Sequence, residues 1–190
     1  MALKATIYKV SLSLSDMDRG CYGEHTLTIA KHPSETEERM MNRILAFALY
    51  RPISEDYGQL EFAKSMWDAD EPDLWHKDLT GQTQHWIDVG LPDEARIKRV
   101  AARSVQATVI AFASSTPVWW EGLKNSVVRL KNLTVVQIAS SDSQALAALA
   151  QRNMALQIMV QDGTIWLNFD NGSLEIQPQY LKTVDLSQNY

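Results

Sequence analysis

The sequence lacks several features that define large classes of proteins. It has one cysteine, Cys21, in 190 residues, which excludes an internal disulfide and a cysteine-based zinc site. Its four histidines are scattered, and neither a His-x-x-x-His pair nor a glycine-rich phosphate loop occurs. No apolar run is long enough to span a bilayer, and the N-terminus alternates instead of showing a signal-peptide profile. We therefore expect a cytoplasmic protein without a membrane partner.

The distribution of charge is more informative than its total. A net charge of −5 argues mildly against a general nucleic-acid coat. Residues 54–94 contain eleven carboxylates and two lysines, whereas residues 95–131 contain seven Lys and Arg and one Glu. Such a boundary either separates two solvated faces or places a cation-binding pocket beside a surface that accepts phosphates. The length favours one domain over residues 1–190, which we expect to be a monomer.

The hydrophobic patterns predict a mixed α/β (α+β) fold. Strands over residues 3–14 and 25–30 form an N-terminal hairpin, and three C-terminal strands are joined by Asp162-Gly163 and Asn171-Gly172 turns. Between these ends the patterns predict helices over 32–50, 54–67, 93–104, 116–124 and 143–152, and strands over 85–89, 107–112 and 133–138.

Segment 32–50 has the clearest helical pattern. Ser34 and Glu37 have the spacing of a capping box, in which each side chain bonds to the other's backbone N–H. Glu35, Arg39 and Arg43 then fall on the polar side. The apolar face consists of Met40, Met41, Ile44, Leu45, Ala48 and Leu49.

Two carboxylates occupy positions with open interpretations. Glu38 lies at the margin of the apolar face, where it either complements the helix dipole or is placed for chemistry. Asp88 lies at the end of a strand-forming run, 85–89, before Gly90 and the helix start at 92–94. It is either a solvated strand-end residue or an acid held for metal or proton chemistry.

Charged residues on both sides of Asp88 also have two interpretations. Pro72 disfavours helix at the residue before it, so the carboxylates of residues 68–73 lie on a loop, either hydrated or relieved by a cation. After Asp88, a predicted helix carries Lys98, whose simplest interpretation is an ordinary i,i+4 pair with Glu94. The other flank of this helix carries a basic stripe that consists of Arg96, Arg99 and Arg103. The stripe is either solvated or contacts phosphates.

Three segments of the chain are distinctive: His32-Pro-Ser-Glu-Thr-Glu-Glu-Arg-Met-Met, Asp70-Glu-Pro and His85-Trp-Ile-Asp-Val-Gly-Leu-Pro-Asp. They resemble the YaeQ family of bacterial proteins, and the resemblance covers essentially the whole chain. That family is similar in fold to the PD-(D/E)XK nuclease superfamily, the restriction-endonuclease-like fold. The resemblance implies a mixed central sheet flanked by helices, with carboxylates converging at one edge.

By position, the resemblance makes Glu38 the helix acid and Asp88 the first acid of the (D/E)-x-K element. Gly90 stands where that element has its lysine, and Lys98 on the next helix is the implied replacement. The second-strand acid is one of the acidic-loop residues, with Glu71 and Asp70 preferred over Asp73.

The implied activity is hydrolysis of phosphodiesters in DNA or RNA. Glu38, Asp88 and either Glu71 or Asp70 would hold Mg²⁺ or Mn²⁺, which lowers the pKa of a bound water and stabilises charge on the phosphoryl group. Lys98 would orient that water. The alternative is a degenerate nuclease fold that binds nucleic acid or a protein without cutting.

Overall fold

The computed structural model describes residues 4–63 and 70–184, and within these it contains four helices and eleven strands. The strands are β1 Thr6–Asp16, β2 Cys21–Lys31, β3 Leu60–Phe62, β4 Leu74–Lys77, β5 Thr83–Val89, β6 Gln106–Ala111, β7 Leu133–Gln137, β8 Asn153–Gln161, β9 Thr164–Phe169, β10 Gly172–Ile176 and β11 Gln179–Lys182. The helices are α1 Glu37–Tyr50, α2 Glu94–Arg103, α3 Thr116–Val127 and α4 Ser140–Ala148.

The strands form two mixed sheets, which confirms the predicted α+β class. Sheet A has the order β10-β9-β8-β1-β2, and sheet B has the order β11-β7-β6-β5-β4-β3. The N-terminal hairpin and the C-terminal strands, predicted separately, are joined in sheet A by a parallel pairing of β1 with β8. In sheet B, β5, β6 and β7 are parallel, so their carboxyl ends meet at one edge.

Helix α1 lies between the two sheets. Residues 40 to 48 are all buried, and their apolar side chains share one core with both sheets and with α4. A helix that is covered on every side has no solvated face. The other side of sheet B carries a second core, formed with α2 and α3 around Trp86, Ile97 and Leu133.

Two local predictions are wrong. The helix start is not a Ser34–Glu37 capping box, because Thr36 is the N-cap and accepts from Arg39 N at 3.1 Å. The helix predicted over 54–67 is a turn followed by β3, and its residues 64–67 lie outside the described part of the chain. Gly58 ends any helix there, because its φ is +118° and a Cβ would lie 2.0 Å from the Lys77 carbonyl oxygen.

The sequence patterns missed β4 and β11, each four residues long. The other predicted helices and strands are present with shifted ends, and the Asp162-Gly163 turn has positive φ at both residues. The predicted Asn171-Gly172 turn is wrong by one residue, because Gly172 pairs with Phe169 in the sheet and the turn is at residues 170–171. No helix in the described ranges is long and apolar enough to cross a membrane.

Candidate functional site at the carboxyl end of β5

Asp88 lies one residue before the end of β5, as the sequence predicts. Side chains alternate along a strand, and β5 turns Ile87 and Val89 towards the α1 core while Trp86 faces the α2 core. Asp88 shares the Trp86 side and accepts a hydrogen bond from its indole Nε1 at 2.9 Å. The carboxylate is buried, so it is a fixed group on the α2 side of sheet B.

Arg96, on the first turn of α2, holds the Asp88 carboxylate with two hydrogen bonds. Its Nε donates to Oδ2 at 2.7 Å and its Nη2 donates to Oδ1 at 2.9 Å. Such a bidentate pair has good geometry for a buried charge, and it raises the pKa of Arg96. Arg96 Nη2 also donates to the Glu71 backbone oxygen at 2.9 Å, which ties the acidic loop to α2.

Asp73 is the acidic-loop residue that lies beside Asp88. It directly precedes β4, whose Leu74 pairs with Ile87, and its Oδ2 accepts from Val89 N at 2.6 Å. Its Oδ1 accepts from Arg39 Nη2. Burial raises the pKa of Asp73, Arg39 opposes that effect, and the charge of Asp88 adds to it.

Glu35 extends the arrangement across α1. Arg43 Nε and Nη2 each donate to a Glu35 oxygen at 2.8 Å, and Arg39 Nη1 donates to Oε1 at 3.1 Å. Arg43 and Glu35 are buried, so their assignment to a polar helix face is wrong. They cannot reach solvent because sheet A and the 32–36 turn cover that side of α1.

We call these six residues the exit cluster. It contains three carboxylates and three guanidinium groups, so its formal charges balance. Each carboxylate oxygen within it accepts at least one hydrogen bond. The members are Glu35, Arg39, Arg43, Asp73, Asp88 and Arg96.

The remaining predicted site residues are spread over separate surfaces. Glu38 lies one turn before Asn42, whose side chain bonds to Ser143 of α4, and α1 packs on the side of sheet B opposite to Asp88. Asp70 is exposed and pairs with Arg103 at 2.6 Å. Glu71 reaches Arg96 through its backbone oxygen.

The basic residues of α2 differ in direction. Lys98 is half exposed and pairs with Glu94, whose pKa that bond lowers. Arg96, predicted to share with Arg99 and Arg103 a basic stripe that is either solvated or contacts phosphates, turns to Asp88 instead. Arg99 is partly buried, and Arg103 is exposed at the C-terminal end of the helix.

The cluster does not fit a metal ion in this arrangement. Mg²⁺ and Mn²⁺ need several oxygen ligands with free lone pairs directed at one point. Arginine and backbone or indole N–H donors occupy the oxygens of Asp73 and Asp88. Among residues 4–63 and 70–184, no three His, Cys, Asp or Glu side chains form a group that can hold a metal.

Two patterns in the sequence mark cluster residues that were not among the predicted site residues. Glu35, Arg39 and Arg43 recur at four-residue spacing and thus share one helix face, a pattern equally typical of a solvated surface. Pro72 directly precedes Asp73 and the short strand β4, but the sequence patterns did not predict that strand.

Comparisons with known proteins match one family over most of the chain. The family model described as YaeQ protein matches residues 1–178. The YaeQ protein of Escherichia coli K12 is 37% identical over 177 residues, 93% of this chain and 95% of that protein. The Salmonella typhi protein is 38% identical over 178 residues, covering 93% and 96%.

Solved structures give the same result. The crystal structure of the YaeQ protein from Xanthomonas axonopodis pv. citri superposes with a TM-score of 0.88 at 43% identity, covering 94% of this chain and 99% of that one. The Pseudomonas syringae YaeQ structure gives a TM-score of 0.87 at 36% identity, covering 94% and 97%. With matches of this extent in sequence and fold, the chain belongs to the YaeQ family.

Proposed function

We propose that this chain is a nucleic-acid-binding protein built on a nuclease-like fold, in which arginines have replaced the metal at the exit cluster. The observation that carries this proposal is the bidentate Arg96–Asp88 pair, which occupies the acid that a PD-(D/E)XK enzyme would use as a ligand. A buried, neutral, fully paired cluster orders the edge of sheet B and supplies no water-activating group.

The surface beside the cluster supports binding to phosphates. Arg103 and Asp70 form an ion pair whose side chains are 54% and 67% exposed. Exposed pairs of this kind contribute little to stability, so a phosphate can take the place of the carboxylate at small cost. Arg99 precedes Arg103 by one turn on the same helix face.

Binding is tested by fluorescence anisotropy with labelled single- and double-stranded DNA and RNA in EDTA. We expect measurable affinity without divalent cations. Arg99→Gln/Arg103→Gln should weaken it and reduce the slope of log K against log salt on duplex DNA by about two, because fewer counterions are released. The matched control is Lys9→Gln/Arg152→Gln, which removes two exposed positive charges at sheet A. Equal binding by wild type and both variants contradicts the proposal.

A metal-dependent phosphodiesterase is the second candidate, and the closeness of Asp73 to Asp88 favours it. It requires Mg²⁺ or Mn²⁺ to displace Arg39 and Arg96 from these carboxylates. Glu38, Glu71 and Lys98 would have to move towards Asp88 as well.

Arg96→Gln separates the two candidates, because it releases Asp88 from its guanidinium. If arginine has replaced the metal, the variant loses stability and neither it nor wild type cuts labelled DNA or RNA with Mn²⁺. Cleavage by the wild type with Mn²⁺, absent in EDTA and in Asp88→Asn, would establish the hydrolase instead. Circular dichroism of each variant verifies that a loss of binding or cleavage is not a loss of fold.

A further inference from the structure

The edge strands of the two sheets differ in length and regularity. Sheet A ends in β2 on one side and β10 on the other, and sheet B ends in β11 and β3. Strands β3, β10 and β11 have three to five residues each, and β11 also has a register shift. Strand β2 has eleven residues, contains no proline and pairs with β1 in one uninterrupted register. Short or irregular edges resist pairing with another chain, whereas a long regular edge favours it.

The free edge of β2 consists of the backbone groups of its even-numbered residues. Lys9 N–H donates to the Arg152 carbonyl oxygen at 2.8 Å, so the odd-numbered residues of β1 turn their backbone towards β8. The even-numbered residues of β1 therefore bond to the odd-numbered residues opposite them in β2. The Ala30 carbonyl oxygen agrees with this, because it accepts from Arg43 Nη2 on the side away from β1. Within the described ranges, no strand pairs with the outward backbone groups of residues 22–28.

A second copy of β2 matches this edge when the two strands pair antiparallel about a two-fold axis at Thr26. Thr26 is the middle residue of β2, so this axis uses the whole strand. Thr26 then faces Thr26, Glu24 faces Thr28, and Tyr22 faces Ala30 of the other copy. All of these residues have outward backbone groups, so each facing pair exchanges two N–H···O bonds. No charged side chain faces a like charge in this arrangement.

The charges on the outer face of sheet A are complementary across this axis. Within one chain, Thr28 pairs with Lys9 of β1, and Lys9 and Glu24 are both exposed. Glu24 of the second copy lies opposite Thr28 and hence two strands from Lys9, about 10 Å between Cβ atoms, which two long side chains can bridge. In the same chain the two residues are too far apart to pair, because Glu24 lies four residues along β2 from Thr28, about 13 Å.

Two exposed apolar side chains obtain a partner in the same way. Tyr22 is 62% exposed and Ile7 is 45% exposed, although both lie in regular strands. Ile7 pairs with Ala30 in its own chain, so Tyr22 of the second copy packs over Ala30 and reaches Ile7. An unrelated extended peptide would use the backbone edge alone, whereas a second copy also matches the charges and the apolar side chains.

We propose that this protein forms a two-fold symmetric dimer in which β2 pairs antiparallel with β2 of a second copy and the two copies of sheet A become one continuous sheet. This dimer replaces the monomer that we expected from the chain length. Strand β2 belongs to sheet A, whereas the arginines proposed to bind phosphates lie on α2 beside sheet B. The test of the dimer therefore does not depend on nucleic-acid binding.

Sedimentation equilibrium of the full chain over a range of concentrations measures the association. We expect a species of twice the 21.5 kDa mass of one chain, with a Kd on the order of micromolar, the weak end for protein interfaces. Thr26→Lys places like charges opposite each other on the axis and should raise the Kd at least tenfold. Ser173→Lys adds the same charge on β10, the other edge of sheet A, and should leave the Kd unchanged. A monomer at all concentrations up to about a millimolar, or an unchanged Kd for Thr26→Lys, overturns the proposal.

An exchange of charges tests the contact between the two copies directly. Lys9→Glu and Glu24→Lys should each raise the Kd about threefold to tenfold, because a pair of like charges replaces an exposed ion pair. The double variant Lys9→Glu/Glu24→Lys should return to the wild-type Kd, because each Glu again meets a Lys of the other copy. A double variant that associates no more tightly than the single variants overturns the proposed pairing. Circular dichroism of each variant verifies that a loss of association is not a loss of fold.

Discussion

The buried polar groups at the two ends of β5 differ in whether they have hydrogen-bond partners. At the carboxyl end, the exit cluster brings three carboxylates and three guanidinium groups together and gives every carboxylate oxygen a donor. At the amino end, the Tyr50 hydroxyl and His76 Nε2 lack a protein partner within the described residues. A satisfied cluster stabilises one structure, whereas a buried polar group without a partner costs stability.

Removing one partner from an ion pair of the exit cluster should cause the largest loss of stability. Arg43→Leu leaves Glu35 buried with only Arg39 to pair it, so we expect a loss of about 3–5 kcal/mol in the free energy of unfolding. Urea denaturation measures it. The double variant Glu35→Leu/Arg43→Met removes both charges and should recover most of that loss, and a double variant as unstable as the single one would contradict this explanation.

Acid should have the second-largest effect, because it acts on His85 near the amino end of β5. The pKa of His85 is lowered to about 4 from an ordinary 6.5. Between these two values the unfolded chain therefore binds a proton at this residue and the folded chain does not. Stability from neutral His85 is present above pH 6.5 and falls by about 3 kcal/mol as the pH drops to 4.

The comparison with His85→Gln isolates this effect. The raised pKa of Asp73 acts in the opposite direction, adding stability as the pH falls, but it is common to both proteins and cancels. The difference in unfolding free energy between wild type and variant, measured in urea from pH 7 to 4, should therefore shrink by about 3 kcal/mol. A difference independent of pH would show that the pKa of His85 is the same in the folded and the unfolded chain.

Removing a buried polar group at the amino end of β5 should give a small gain in stability. Tyr50→Phe deletes a buried hydroxyl that lies near Tyr180 but makes no well-formed hydrogen bond within the described residues, and it keeps the ring packed against His85. We therefore expect thermal unfolding to show a stabilisation of up to about 1 kcal/mol. A loss above about 1 kcal/mol would mean that the hydroxyl is hydrogen-bonded in solution.

Lys98→Ala should have the smallest effect. Lys98 and Glu94 form an exposed i,i+4 pair on α2, worth no more than about 0.5 kcal/mol. Urea denaturation should place the variant within that range of the wild type. A much larger loss would indicate that Lys98 takes part in the exit cluster in solution.

The sequence predicted those features of the site that depend on neighbouring residues. Asp88 at the end of a strand, and an acid-capped helix starting near residue 93, were predicted from strand-forming residues followed by Gly, Pro and Asp. These features depend on contacts within a few residues, which one sequence displays.

The non-local parts did not follow. The burial of Glu35 and Arg43 depends on sheet A covering α1, and sheet A depends on the pairing of β1 with β8. The inward turn of Arg96 depends on Asp88 lying across from it, whereas helical spacing alone groups Arg96 with Arg99 and Arg103 on an outer flank. Periodicity gives the face of a helix but not what that face meets.

The parallel pairing of β1 with β8 also has a consequence during protein synthesis. Lys9 pairs with Asn153, so the ribosome adds about 140 residues between the two partners, which takes roughly 7–30 s at bacterial elongation rates. Throughout that interval the β1–β2 hairpin carries an unpaired strand edge, the kind of edge on which nascent chains aggregate. A chaperone that shields this edge until residue 161 has emerged would therefore raise the yield of folded protein.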